Sequence, residues 1–153
     1  MPSLKQAIKF FGTAGLATSA KLVKTVAQSL ASGDLDTVTF DSVAFNTLPL
    51  GQLADASGGF IRLVRTEKPV LIGGSVSFQG SAQPEENLLQ ILLDGVLIAS
   101  AEQHPGADGQ ITVHTATPLL GIGGDVTMQA SQTNLVPEAR NIVRADLWVI
   151  QLG

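Results

Sequence analysis

The chain contains no cysteine and no tyrosine, one tryptophan, two histidines and only 14% charged residues over 153 positions. Without cysteine there is neither a disulfide framework nor a thiolate metal site, which mildly favours a reducing assembly compartment. No apolar run approaches the ~18 residues of a membrane-spanning helix. Two histidines leave little for imidazole chemistry. His104 lies in the turn-like "HPGADG" and His114 in a strand-like stretch, and a zinc site would still need a third ligand such as Glu102 or Asp108. A serine hydrolase of the nucleophile-elbow type would show G-x-S-x-G, and the chain has none; the serines of "GGSVS" read as strand residues. Glu85 and Glu86 are neighbours that point apart in an extended chain, so they do not form a carboxylate pair by themselves. "GIGGD" at 121–125 is followed by the alternating "VTMQAS" and by no helix, so it reads as a tight glycine turn and not a phosphate cradle. We expect no catalytic residue, no cofactor and no metal.

What is present is a hydrophobic chain, 44% apolar with sixteen glycines and seven prolines. This length supports one domain with a core, and the low charge points to apolar surface covered by a partner. The net charge of −4 is uneven: residues 1–33 carry four lysines and no acid, against five basic and thirteen acidic residues beyond. A basic segment on an acidic body reads as a contact arm on a globular head. Four lysines, with no arginine or interleaved aromatics among them, do not make nucleic acid the expected partner.

Residues 5–24, "KQAIKFFGTAGLATSAKLVK", have the order of an export signal: lysines, a small apolar run, then small residues at Ala17–Ala20. The apolar region is broken by Gly12, Thr13, Gly15 and Thr18 and is followed by Lys21 and Lys24. That makes a poor translocation core and a better docking arm. Ser3 and Gln6 can form a capping box ahead of Leu4, Ala7, Ile8 and Phe11 on one face. Leu22, Val23, Val26, Ala27 and Leu30 then recur at helical spacing, with Thr18 or Ser19 to start that helix and Gly33 to end it. The arm, residues 1–36, is therefore expected to be partly helical. It is expected to dock through Lys5, Ile8, Lys9, Phe10, Phe11, Leu16, Lys21, Leu22, Val23 and Val26.

From Asp34 the pattern becomes β. Val38 with Phe40 and Val43 with Phe45 alternate, and "GGFIRLVR" is a further strand. Val70, Ile72, Val76 and Phe78 fall on one parity, the period-2 mark of a buried face, with Gly73-Gly74 as a bend. "NLLQILLDGVLIAS" is a hairpin about Asp94-Gly95. "QITVHTAT", "GDVTMQAS" and "NIVRADLWVIQL" complete eight or nine strands, which favours an antiparallel sandwich over residues 37–153. Phe40, Phe45, Phe78 and Trp148 are candidates for the core or for a contact between subunits.

Several of these strings resemble one family. "VTFDSVAFNT" at 38–47, "GGFIRLVRTEKPVLIGGSVSF" at 58–78, "LLQILLDGVLIAS", "TATPLLGIGGDVTMQAS" and the closing "ADLWVIQLG" resemble the strand and turn order of the complement-globular-head and tumour-necrosis-factor-like jelly rolls. The chain departs from the pattern at Gly74-Ser75, where the family usually carries an aromatic residue. The resemblance implies an all-β jelly-roll sandwich of about eight strands that assembles as a homotrimer and binds without catalysing. Heads of this type also serve on bacteriophage particles, and a short arm suits a peg on a shell better than a fibre shaft. The expected role is therefore a virion protein on the outer capsid surface, with the major capsid protein as partner and without membrane or nucleic-acid contact. Two other roles share the composition. One is a receptor- or glycan-binding head of a tail fibre or tailspike, facing a host surface glycan. The other is a small secreted lectin or enzyme whose first twenty residues are a signal.

Overall fold

The computed structural model describes residues 17–79, 85–103, 110–134 and 138–153. Its strands are β1 (Thr18–Lys24), β2 (Gln28–Leu30), β3 (Leu35–Thr37), β4 (Ser42–Asn46), β5 (Leu53–Asp55), β6 (Phe60–Leu63), β7 (Val70–Phe78), β8 (Glu85–Leu93), β9 (Val96–Gln103), β10 (Gln110–His114), β11 (Gly124–Asn134) and β12 (Arg140–Gln151). They form two antiparallel sheets. The first runs β10-β7-β12-β1-β4 with β2 also on β12, and the second runs β5-β6-β11-β8-β9 with β3 also on β11.

Alternation along the long strands builds the core. In β7, Val70, Ile72, Val76 and Phe78 face inward, as do Ala145, Leu147 and Val149 of β12. From the other sheet they meet Leu89, Ile91, Val126, Met128 and Ala130. Each large apolar side chain buried here contributes on the order of 1.5–3 kcal/mol. The hairpin expected at Asp94-Gly95 joins β8 to β9, with Asp94 at φ 48° and Gly95 at φ 79°. Positive φ at both central residues is the turn geometry that matches strand twist.

Two expectations are corrected. The helix expected over Leu22–Leu30 is instead β1 and β2, separated by a turn. β1 pairs with β12 from Thr18↔Gln151 to Lys24↔Ala145, and β2 continues along the same edge from Ile142↔Gln28 to Arg140↔Leu30. The helical spacing is real, but β12 offers an unpaired edge along its whole length, and a strand there satisfies buried backbone groups that a helix leaves open. Asp41 holds the intervening turn, accepting from the Thr25 and Val26 amides at 2.7 and 2.8 Å and from Thr25 Oγ1 at 3.0 Å. Leu22, expected on a docking surface, is a fully buried core residue, and Lys24 is buried with its Nζ donating to Thr39 Oγ1 at 2.9 Å. The sequence boundary at residue 36 thus falls inside the sandwich.

The second correction concerns Gly73-Gly74, which is no bend, because β7 pairs through it with β10 and β12 without interruption. The two glycines instead admit large groups on opposite faces. A Cβ on Gly73 would strike the Trp148 indole, and one on Gly74 would lie 2.7 Å from Met128 Sδ and 2.8 Å from the Asp146 carbonyl.

Leu22→Ala is expected to cost about 2–5 kcal/mol in urea unfolding, whereas Val26→Ser in the exposed turn should fall within about 0.5 kcal/mol of the parent. The three donors on Asp41 hold its carboxyl below the ordinary carboxylate range. Its stabilising contribution is therefore present above the unfolded-state pKa of about 4 and is lost as pH falls through the lower folded-state value. Asp41→Asn should remove that part of the acid dependence of the urea midpoint, measured between pH 5 and pH 2 as order-of-magnitude limits of the window.

Candidate self-association face

The face of the first sheet that points away from the core is built by the other parity of the same strands. One row across it reads Phe45, Lys21, Trp148, Gly73 and His114, from β4 to β10. The next row toward the chain termini holds Ser19, Ile150 and Leu71. The row on the other side holds Ser42, Val23, Asp146, Ser75 and Thr112. Val23, Leu71, Trp148 and Ile150 are half-buried, and Phe45 on the edge strand is exposed. The bulge of β4 between its pairings to Lys21 and Leu22 brings Phe45 onto this face.

Trp148 is the centre of the face. Gly73, directly opposite on β7, leaves a hollow that the indole fills, so the ring lies down on the sheet. Around it the polar groups are already partnered. Lys21 Nζ pairs with Asp146 Oδ1 at 3.1 Å, and Ser75 Oγ donates to Asp146 Oδ2 at 3.2 Å. A pair this exposed is worth no more than about 1 kcal/mol, but it matters for association: a partner covering it meets a neutralised pair and not a lone ammonium. Lys21 is thus engaged within the chain and is not a free docking cation.

The structure separates the other expected residues. Phe40 and Phe78 are core, at 6% and 5% exposure, while Phe45 and Trp148 belong to the outer face. Val23 lies on that face and Val26 projects from the turn at 64% exposure. Lys5, Ile8, Lys9, Phe10, Phe11 and Leu16 lie outside the described residues, as do His104 and Asp108. His114 is exposed on β10, its Nδ1–H donating to its neighbour's carbonyl, Thr115 O, at 3.0 Å. Among the described residues no group of three acidic or imidazole side chains is placed to hold a metal. At "GIGGD" the Asp125 amide donates to the Asp94 carboxylate at 2.8 Å, so a side chain already occupies that donor. Asp125 in turn takes both Arg62 Nε and Nη2, at 2.7 and 2.8 Å. The Arg62 hydrogen bonds are the main reason the Asp125 carboxyl lies below its usual range.

Sequence reasoning did not find the outer face as a surface, because its members lie on five strands that are far apart in sequence. The signal available was the odd parity of β7: Leu71, Gly73, Ser75 and Ser77 alternate with the core residues. Gly73→Ala should lift the indole off the sheet. We expect a red shift of the sole tryptophan's emission and a loss of about 1–3 kcal/mol, the usual cost of overpacking, measured by fluorescence-monitored unfolding.

No protein-family model and no curated protein sequence matches the chain. Solved structures do match. The globular domain of zebrafish complement 1qA aligns with 86% of this chain and 94% of its own, at 10% identity and a TM-score of 0.47. The structure of Eiger TNF from S. frugiperda aligns with 90% of this chain and 92% of its own, at 10% identity and a TM-score of 0.51. The strand order and the second of these alignments together show the fold: the chain is a jelly-roll sandwich of the tumour-necrosis-factor-like type.

Proposed function

We propose that the protein is a non-enzymatic, homotrimeric particle protein whose heads associate through the Trp148 face and whose N-terminal segment docks on a capsid shell. The observation that carries the self-association is the outer face itself. Trp148, Ile150, Leu71 and Val23, all half-buried, and the exposed Phe45 surround a neutralised ion pair. An apolar centre with an aromatic anchor and satisfied polar neighbours is what a stable interface requires. A closed cyclic assembly covers such a face on every copy. The homotrimer implied by the sequence resemblance is the assembly this fold supports.

The docking role rests on charge and position. Residues 1–16 contribute Lys5 and Lys9 and no acid, and they join the sandwich at one end of β1. Three such segments on one trimer add avidity to individually weak contacts. A signal-peptide role fits the structure less well, because cleavage after Ala20 would remove Thr18–Ala20 from β1 and leave part of β12 unpaired.

Sedimentation velocity should give three times the chain mass of 15.9 kDa, and Trp148→Glu should give a folded monomer. Deletion of residues 1–16 should leave the trimer intact and lower co-sedimentation with particles at least tenfold. A monomeric parent chain would refute the assembly, and a truncated trimer that still decorates particles at full occupancy would refute the docking role.

A further inference from the structure

At the end of the sandwich where the chain finishes there is a pocket that shares no lining residue with the Trp148 face. Its volume is about 260 Å³, and it opens between the loop joining β4 to β5 and the loop joining β6 to β7. Backbone hydrogen bonds hold both loops in place. The Thr47 amide donates to Ser19 O at 2.7 Å, and the Leu152 amide donates to Pro69 O at 2.8 Å. Gly51 adopts φ 89°, which lets the Gln52 amide close a turn onto Pro49 O at 3.1 Å. The Lys68 amide closes a second turn onto Thr66 Oγ1 at 3.2 Å. The pocket is therefore built before any ligand arrives, as small-molecule sites usually are.

We infer that this pocket binds a carboxylated sugar residue. Three kinds of wall meet in it, and each matches one part of such a ring. The first is charge. Arg65 and Lys68 both line the pocket, and among the described residues neither side chain forms an ion pair or a hydrogen bond. Beyond residue 33 the chain has five basic and thirteen acidic residues, so two such cations make a local seat for negative charge on an otherwise acidic head. The Arg65 guanidinium can take a carboxylate in two parallel hydrogen bonds, with the Lys68 ammonium as a second charge. The second is a hydroxyl partner. Gln52 Oε1 is buried and accepts no hydrogen bond, while Gln52 Nε2 reaches Gln151 Oε1 at 3.5 Å. A buried amide oxygen without a donor costs free energy that a ligand hydroxyl recovers. The third is apolar. Pro49, Leu50 and Val64 form a wall, with Leu50 exposed at 102% and Val64 at 50%, against which the C–H face of a ring can lie. The volume is below the roughly 300–1,000 Å³ of pockets for drug-sized ligands, so the buried part of the ligand is about one ring. An inorganic anion would leave the apolar wall and Gln52 unused.

This inference goes beyond the assembly and docking roles proposed above and does not rest on them, so its failure leaves them standing. The test uses the isolated full-length protein, with backbone amide resonances followed as glucuronate or N-acetylneuraminate is added, and with glucose and inorganic phosphate as comparisons. At least one of the two acids, at about 10 mM against a Kd of order 1 mM, should shift the Gly51, Gln52, Arg65 and Thr66 amides, and glucose should leave them in place. Arg65→Gln should weaken that binding about tenfold, and Arg65→Gln combined with Lys68→Gln should abolish it. Both positions are exposed, so the fold should survive, which unchanged amide shifts in the core strands would verify. Equal binding of glucose would remove the charge argument, and equal binding of phosphate would reduce the site to a general anion site. Either result overturns the inference, as do shifts that map away from the pocket, full binding by the double variant, or no shift with either acid.

Discussion

The structure depends on hydrogen-bonding both edges of β12. That strand crosses the whole first sheet, with β7 along one edge and β1 followed by β2 along the other. A central strand has no water available for its amides and carbonyls, so each edge must be paired along its length. The chain satisfies one edge with β7, from the middle of the sequence, and the other with β1 and β2, which is why residues 18–30 belong to the core sheet and not to an appendage. Gln132 reinforces this lane from the second sheet, its Nε2 donating to Leu30 O at 3.2 Å and to Glu138 O at 2.9 Å.

The same strands serve two surfaces. Period-2 alternation places Ile72, Val76, Leu147 and Val149 in the sandwich and Leu71, Trp148 and Ile150 on its outside. The inner face is continuous apolar core, whereas the outer one carries an apolar centre at Leu71, Trp148 and Ile150 among polar neighbours such as Lys21, Ser75 and Asp146. The adjacent glycines of β7 let large groups lie close on each side, the indole outside and the Met128 thioether inside. Neither can gain a side chain without displacing what rests on it.

Legibility in the sequence followed the range of the interaction involved. Strand parity in "VLIGGSVSF" and the Asp94-Gly95 turn were readable because a few consecutive residues decide them. The fold class followed from counting such segments, and the all-β jelly roll stands. The segment 22–30 was misread because its apolar spacing fits a helix as well as a strand, and the deciding factor, the open edge of β12, lies more than a hundred residues away. Phe40 and Phe45 looked equivalent in sequence, yet one is core and the other sits on an edge strand whose five residues are all exposed.

By itself, then, the amino-acid sequence determined the alternation, the turns, the uneven charge and the lack of a local catalytic motif, since each depends on neighbouring residues. Only the tertiary structure decided that Phe40 is core while Phe45 is exposed, that Lys21 is tied to Asp146, and that Leu22 is core. These are properties of strand order and register, and register is set by pairing between segments that no local pattern connects.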